Sequence, residues 1–223
     1  MIDPQPAPPA PAAVAYVRDL LRGLDAPWFL CGGWAADDWL GRRTREHWDV
    51  DIAVFHDDQR AIFAYLPGWA LVGHDPNVPD DTTEQWNGRQ LDPPAHIHVP
   101  RLGSSLSTSP ELTHSEFEFE FLLNERAGQE WILNREKGVT VSLERHVRQS
   151  SWGPPTVAPE IVLFHKAGGH LTAAELKAGG DGPRPRDEQD FFAVLPTLAP
   201  AQRTWLRDTL ATARPAHPWL AHL

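Results

Sequence analysis

The chain of 223 residues contains a single cysteine, Cys31. One thiol cannot form an intramolecular disulfide or a multi-cysteine zinc site, and a free thiol in an apolar segment fits a reducing compartment. No uncharged apolar run approaches the length of about 18 residues that a membrane span needs. The N-terminal segment, MIDPQPAPPAPAA, lacks the basic and apolar regions of a signal peptide. We therefore expect a cytoplasmic protein with no membrane partner.

Basic residues are also scarce, since 20 lysines and arginines stand against 30 aspartates and glutamates, for a formal net charge of −10. A protein whose main task is to bind the nucleic-acid backbone needs a basic field, so this balance argues against nucleic acid as the partner. It still allows a locally basic pocket for a small anionic substrate. The hydrophobic fraction of 41%, to which ten tryptophans contribute, is enough to form a core.

Several common signatures of nucleotide and metal sites are missing. The sequence has no GxGxxG, Walker A or HExxH motif, and no nucleophile elbow or kinase signature. His96 and His98 have HxH spacing and could be combined with His47 into a metal site. Without HExxH or a cysteine partner, we interpret these histidines as hydrogen-bonded structural residues.

Changes in composition divide the chain into three predicted segments. Residues 1–11 are rich in proline and alanine and are predicted to be disordered or extended. Residues 12–153 mix helix and strand patterns, whereas residues 154–223, after a Gly-Pro-Pro break, show helix patterns alone. We predict an α+β fold, with a mixed sheet flanked by helices in residues 12–153 and a small C-terminal helical subdomain in residues 154–223.

Seven segments show strand patterns, and two longer stretches read as loops. The predicted strands are 28–31, 48–55, 69–73, 96–99, 116–123, 131–134 and 139–143. Residues 74–95 are predicted to form a surface loop, and residues 167–183 a flexible loop around a short helix.

The most informative strand pattern is WDVDIAVF, residues 48–55. Side chains two apart on a strand point the same way, so Asp49 and Asp51 share a face. Mg²⁺ prefers carboxylate oxygens and often completes its shell with phosphates. With a third carboxylate from a neighbouring strand, the pair would hold one or two metal ions for phosphoryl or nucleotidyl transfer. The alternative is a solvated face of an edge strand.

The candidates for the third carboxylate lie in EFEFEFLL, where Glu116, Glu118 and Glu120 share one face of a strand. Glu120 lies closest to the buried end, so we prefer it, with Glu118 as second choice. The alternative is again that these glutamates face solvent, where water or cations relieve their repulsion.

Anion-binding groups precede the aspartates. Gly32-Gly33 comes before a short predicted helix and offers backbone N–H groups and a helix N-terminus to a phosphate, although Gly-Gly can also be a simple tight turn. Three arginines, Arg42, Arg43 and Arg45, could neutralise triphosphate charge. For Arg43 in particular, surface solubility is the competing explanation.

Taken together, GGWAADDWLGRRTREHWDVDIAVF resembles the nucleotidyltransferases of the DNA polymerase-β superfamily. The resemblance is to the branch of the aminoglycoside 2″-adenylyltransferases and lincosamide nucleotidyltransferases, whose pattern runs GGWA-x-D, a glycine, and TR-x-H-x-D-x-D. The matching residues are Gly32, Gly33, Trp34, Asp37, Gly41, Thr44, Arg45, His47, Asp49 and Asp51.

Later segments are similar to the family more loosely. FEFLLNE corresponds to the strand that provides the third carboxylate, and PEIVLFHKA with RPRDEQDF is similar to a helical Lys…Arg…Asp-x-x-Asp pattern. That pattern maps onto Lys166, Arg184, Arg186, Asp187 and Asp190. A glycine-rich insertion between Lys166 and Arg184 departs from it. For Asp37, the alternative to a role in the site is a structural role, in which it holds the glycine turn.

The resemblance implies a polymerase-β-like mixed sheet, Mg²⁺ (one or two ions), and ATP or another nucleoside triphosphate. It implies transfer of a nucleoside monophosphate, AMP in the first place, to a hydroxyl of a small molecule such as an aminoglycoside-like antibiotic, with release of pyrophosphate. The implied catalytic and metal-binding residues are Asp49, Asp51 and Glu120, and the implied nucleotide-binding residues are Gly32, Gly33, Thr44, Arg45 and Lys166.

Two other functions are compatible with the same residues. One is a toxin-like nucleotidyltransferase that modifies a protein or RNA, although the net charge argues against RNA. The other is a catalytically idle member that binds nucleotide as a sensor, and the intact pair of Asp49 and Asp51 argues against that. The sequence leaves the acceptor, the preferred base and the oligomeric state open.

Overall fold

The computed structural model describes residues 9–74, 84–106, 109, 111–134, 136–168 and 183–223. Over these residues the chain forms seven α-helices and ten strands. The helices are α1 (Ala12–Leu20), α2 (Gly32–Leu40), α3 (Gln59–Tyr65), α4 (Leu143–His146), α5 (Pro159–Lys166), α6 (Pro185–Val194) and α7 (Pro200–Ala213). The strands are β1 (Trp28–Leu30), β2 (Val50–Phe55), β3 (Val72–His74), β4 (Glu84–Gln85), β5 (His96–Val99), β6 (Phe119–Ala127), β7 (Glu130–Asn134), β8 (Val139–Ser142), β9 (Val147–Gln149) and β10 (Pro155–Val157).

The predicted α+β fold with a mixed sheet and C-terminal helices is confirmed. All seven predicted strands overlap observed ones, whereas β4, β9 and β10 are two or three residues long, too short for an alternating pattern to be visible in the sequence. Most of the predicted disordered N-terminus, the predicted helix within 167–183 and residues 75–83 of the predicted surface loop lie outside the described residues.

The strands form one sheet in the order β4-β3-β5-β6-β2-β1-β10-β9, and β7 and β8 extend it from the far end of β6. The pairs β2–β6 and β1–β10 are parallel, and the other pairs are antiparallel. The predicted domain boundary after residue 153 stays a prediction. The sheet crosses that point, because β9 and β10 pair with each other and β10 pairs with β1.

The register of the central strands decides which side chains meet. In the parallel pair β2–β6, Asp51 lies opposite Glu120. In the antiparallel pair β5–β6, His98 lies opposite Glu120 on its other side. Residues opposite each other in a sheet project to the same face, so all three side chains emerge on one face of the sheet. Flanking residues, including Ile52 and Phe121, are fully buried on the opposite face.

The helices cover the sheet and close the C-terminal end. α5 is buried along almost its whole length, and α7 and α2 pack against it. After α7, the ring of Trp219 stacks on Phe191 of α6, with centroids 4.2 Å apart and planes 9° from parallel. Within the described residues, no helix has the length and apolar character required to cross a membrane.

Candidate active site

Three carboxylates converge at the centre of the sheet. Asp49 lies directly before β2, Asp51 is on β2 and Glu120 is on β6. One ligand oxygen from each lies within 4.8 Å of the others. Glu118, the second choice from the sequence, precedes β6 and is not part of this group, although its carbonyl oxygen accepts a hydrogen bond from the Val50 N–H at 3.1 Å. The fold therefore assembles Glu120 with the two aspartates.

These carboxylates carry a high electrostatic cost when all are ionised. Burial raises the pKa of Asp49 to about 6, and the charge of Asp51 adds to the shift. Burial and the neighbouring Glu120 raise the pKa of Asp51 to about 7. Burial also raises the pKa of Glu120 to about 7. A divalent cation among these oxygens would relieve both the repulsion and the loss of hydration, so the donor set fits Mg²⁺.

The space around positions 32 and 33 leaves no room for a side chain, so both must be glycine. Gly32 has φ +62°, and a Cβ there would collide with the carboxylate of Asp51. A Cβ on Gly33 would lie 2.5 Å from Nδ1 of His47 and would also overlap Arg45. The two glycines begin α2 and line the same cleft as the carboxylates. Their small size therefore lets the helix N-terminus approach the acidic group closely.

Other residues of the segment GGWAADDWLGRRTREHWDVDIAVF fix the loop before β2, which carries Asp49. The indole N–H of Trp34 donates to the Asp49 carbonyl at 3.0 Å. The buried carboxylate of Asp37 accepts hydrogen bonds from Thr44, at 3.0 Å from its N–H and 2.5 Å from its hydroxyl. The other oxygen of Asp37 lies 2.6 Å from Nε2 of His47.

These contacts revise two expectations from the sequence. Asp37 is structural, but it fixes the loop before β2 rather than the glycine turn. Thr44 has its hydroxyl engaged by Asp37 and does not line the cleft. The structure therefore places Thr44 behind the site, where it can position Asp49 through the loop.

A cationic wall faces the carboxylates and comes from the end of α5, the residues at the start of α6 and the loop between α2 and β2. The ammonium of Lys166 lies 2.9 Å from Asp187 and 2.7 Å from Asp190. Arg45 forms a two-point pair with Asp190, with both N–O distances at 2.9 Å. Burial alone would raise the pKa of Asp190, but the hydrogen bonds from Arg45 and Lys166 lower it below its ordinary value. Arg184 pairs with the other oxygen of Asp187 at 2.5 Å.

The carboxylates and the cations line one cleft with about 1050 Å³ of space between protein atoms, part of it open to solvent. The predicted residues that line it are Gly32, Gly33, Arg45, Asp49, Asp51, Glu120, Lys166, Arg184, Arg186 and Asp187. Trp48 stands at the cleft with 80% of its surface exposed.

The sequence did not single out four further residues of the cleft wall. Asn124 lies two strand pleats beyond Glu120 on the same face, so the period of β6 was a usable signal. Trp131 and His165 lie with ring centroids 5.8 Å apart, and burial lowers the pKa of His165 to about 4. Leu122 also lines the cleft, and it and His165 lie inside the quoted segments FEFLLNE and PEIVLFHKA without having been assigned a role.

A second groove adjoins the cleft at His47 and Trp48, which line both. It is lined by Arg43, Glu46, His47, Trp48, Arg101, Glu116, Phe117 and Glu118. The groove thus combines an exposed indole with the two glutamates that the carboxylate group leaves out.

The sequence model of the aminoglycoside-2''-adenylyltransferase family matches residues 13–75, which include the Gly-Gly pair and both aspartates. The crystal structure of ANT(2'')-Ia in complex with adenylyl-2''-tobramycin aligns with a TM-score of 0.50 and 13% identity, covering 89% of this chain and 97% of that one. The solution structure of the antibiotic-resistance factor ANT(2'')-Ia aligns with a TM-score of 0.51 and 13% identity, covering 94% of each chain. The chain thus shares its fold with ANT(2'')-Ia, and residues 13–75 match the aminoglycoside-2''-adenylyltransferase sequence model.

The family-model match over residues 13–75 and the two ANT(2'')-Ia alignments confirm the predicted resemblance, and the matched family is one of adenylyltransferases, the enzyme class predicted from the sequence. The lincomycin-bound crystal structure of the lincosamide adenylyltransferase LnuA also aligns, with a TM-score of 0.46 and 16% identity, over 82% of this chain and 96% of that one. A comparison with curated proteins gives no significant match.

Proposed function

We propose that the chain transfers AMP from ATP to a hydroxyl of a small cationic molecule of the aminoglycoside class, with Mg²⁺ as the metal. The observation that carries this proposal is the single cleft in which Asp49, Asp51 and Glu120 face Lys166 and Arg184. One wall suits metal ions and the other suits phosphates, and that combination is the requirement for nucleotidyl transfer.

The acidic wall would hold one or two Mg²⁺ ions through Asp49, Asp51 and Glu120. Bound there, Mg²⁺ would neutralise charge on the phosphates of ATP. Alternatively, the two aspartates alone would hold the metal, and Glu120 beside them would take the proton of the acceptor hydroxyl as general base. The hydroxyl oxygen then forms a bond to the α-phosphorus, and the bond from that phosphorus to pyrophosphate breaks.

The triphosphate would lie between the start of α2 and the cationic wall. The N–H groups of Gly32 and Gly33 and the side chains of Arg45 and Lys166 are the groups available to its oxygens. Asp190 holds Arg45 and Lys166 at fixed positions, so both cations are oriented before the nucleotide arrives. In this scheme Thr44 contributes by positioning the loop through Asp37.

The acceptor would occupy the second groove, beside Trp48. An exposed indole offers a flat face to a sugar ring, and Glu116 and Glu118 offer carboxylates to amino groups. The structure of ANT(2'')-Ia contains an adenylylated aminoglycoside, which supports the same acceptor class for this fold. The net charge of −10 also favours a cationic acceptor.

The test is to incubate the full-length protein with ATP, Mg²⁺ and tobramycin and to measure pyrophosphate release and the adenylylated product by mass spectrometry. Asp49→Asn and Glu120→Gln should each reduce turnover at least about 100-fold, because they remove groups that act on the reacting phosphate. Glu118→Gln is the matched control for Glu120→Gln, and it should retain turnover at saturating acceptor concentration.

Two results would overturn the proposal. Unchanged turnover in Asp49→Asn would show that the carboxylate group is not the metal site. Mg²⁺-dependent ATP binding without transfer to tobramycin or other aminoglycosides would contradict the acceptor and favour a nucleotide sensor or a protein-modifying enzyme.

A further inference from the structure

Three imidazole side chains, on the adjacent strands β3 and β5, lie next to the carboxylate group. His96 and His98 are two residues apart on β5 and project to the same face of the sheet. Nδ1 of His96 lies 3.2 Å from Oε2 of Glu120, and Nδ1 of His98 lies 3.3 Å from the same oxygen. His74, on β3, places its ring 6.1 and 5.8 Å from the rings of His96 and His98.

The spacing of these atoms is that of ligands around one small metal ion. Zinc is bound by nitrogen and oxygen at about 2.0–2.1 Å in tetrahedral geometry, which puts neighbouring ligand atoms about 3.3 Å apart. The distances from both imidazoles to Glu120 agree with that value. Ligand atoms from His96, His98 and Glu120 all lie within 4.8 Å of one another.

Hydrogen bonding is the alternative to a metal ion, and Nδ1 of His96 is within hydrogen-bond distance of Oε2 of Glu120 at 3.2 Å, the long end of the ordinary range. A charge-assisted N–H···O bond to a carboxylate has a length of about 2.7–2.9 Å. Here two rings approach one oxygen at longer distances, both through Nδ1. A metal ion would bind the two Nδ1 atoms and the carboxylate oxygen at once. Without a metal ion, the one carboxylate oxygen makes two long contacts.

We propose that His96, His98 and Glu120 bind a borderline divalent transition metal, of which Zn²⁺ is the foremost candidate. Imidazole nitrogen suits Zn²⁺, Co²⁺ or Ni²⁺, whereas Mg²⁺ prefers an all-oxygen set such as Asp49 and Asp51 provide. Glu120 belongs to both ligand sets, so the two neighbouring positions differ in the metal that they select. This site goes beyond nucleotidyl transfer, because its occupancy requires neither ATP nor an acceptor.

The site is reachable from solvent. The side chains of His96 and His98 are 32% and 22% exposed, and that of Glu120 is 12% exposed. Three protein ligands leave a fourth tetrahedral position for water or a substrate atom, which is the arrangement of zinc sites that remain open. His74 lies beside this group on the neighbouring strand.

The experiment is to titrate Co²⁺ alone into the full-length protein and to follow its visible absorption, which is strong for tetrahedral and weak for octahedral Co²⁺. We expect saturable absorption of one Co²⁺ per chain, which excess Mg²⁺ does not remove and Zn²⁺ does. His96→Gln and His98→Gln keep a hydrogen-bonding side chain opposite Glu120 but lose the ligand, and each should weaken binding at least about 10-fold.

The control is His56→Gln, since His56 is also partly buried and lies 3.1 and 3.2 Å from the carboxylates of Asp57 and Asp92. It should leave the titration unchanged, as should Asp49→Asn. The proposal is overturned if the wild-type protein gives no tetrahedral spectrum, or if Mg²⁺ abolishes it. It is also overturned if Asp49→Asn removes the spectrum while both histidine variants keep it. Because Asp49→Asn impairs only the proposed Mg²⁺ position, failure of AMP transfer and failure of this site remain separable.

Discussion

The buried carboxylates make a specific prediction about stability in the absence of metal. Asp51→Asn keeps the shape of the side chain and removes one negative charge from the group that includes Asp49 and Glu120. The pKa of Asp51 rises from 3.8 to about 7 on folding. Each step of one in pKa corresponds to about 1.36 kcal/mol, so ionised Asp51 lowers the free energy of unfolding by up to about 4 kcal/mol.

The sign of the pH dependence follows from the direction of that shift. A carboxyl group whose pKa is raised in the folded state contributes most to stability below its unfolded pKa of 3.8. That contribution falls as the pH rises and is lost above about pH 7, where the folded protein must also ionise the group. At pH 8 in EDTA, Asp51→Asn should therefore be about 2–4 kcal/mol more stable than the wild type, and the difference should shrink toward pH 4.

Urea unfolding followed by tryptophan fluorescence is a direct assay, because the chain contains ten tryptophans. Measurements of wild type and Asp51→Asn at pH 8 and at pH 5, with EDTA and with Mg²⁺, give the required comparison. Mg²⁺ should stabilise the wild type and have little effect on the variant. Asp57→Asn, at an exposed position, is the control for loss of one negative charge. A variant that is less stable than the wild type at pH 8 in EDTA would refute the argument.

Three further predictions concern the cleft and its supports. Mg²⁺-dependent ATP binding, measured by isothermal titration, should strengthen from pH 5.5 to pH 7.5 as the carboxyl groups with pKa values of about 6 to 7 lose protons, and a flat profile would contradict this. Gly32→Ala should weaken that binding at least about 10-fold, because its methyl group overlaps Asp51. Gly41→Ala has a similar φ, +68°, with no atom within 4 Å, and it should cost only about 1–2 kcal/mol of stability and leave binding intact. Asp190→Asn should lower the free energy of unfolding by about 3–5 kcal/mol in urea titration, since it leaves two buried cations without their shared carboxylate. Asp208→Asn, which breaks an exposed pair, should cost less than about 1 kcal/mol, and equal effects of the two variants would refute the assignment.

The sequence was most informative where the physical signal is local. Alternation along residues 48–55 and 116–123 predicted which side chains share a face, because the period of a strand is two residues. The preference for Glu120 over Glu118 depended on burial at one end of β6. It agrees with the register that sets Glu120 opposite Asp51.

Features that depend on distant parts of the chain could not be predicted in the same way. The pair of Arg45 and Asp190 joins residues 145 positions apart, and no local pattern encodes it. His96 and His98 were interpreted as structural residues because no HExxH motif or cysteine partner accompanies them in the sequence. Only the antiparallel register of β5 with β6 brings Glu120 beside them. Thr44 belongs to the motif, yet its partner Asp37 shows only in the folded loop.

The contacts of Arg45 and Lys166 with α6 also bear on the order in which the protein can be completed during synthesis. The ribosome adds Arg45, Lys166 and the three clustered carboxylates, Asp49, Asp51 and Glu120, before it adds Asp187 and Asp190. Until the ribosome has added α6, Arg45 and Lys166 lack the carboxylates that hold them in the finished protein. A chain interrupted between α5 and α6 would retain Asp49, Asp51 and Glu120 without an ordered cationic wall. We therefore expect the cleft to be completed late in translation, when the C-terminal helices pack against the finished sheet.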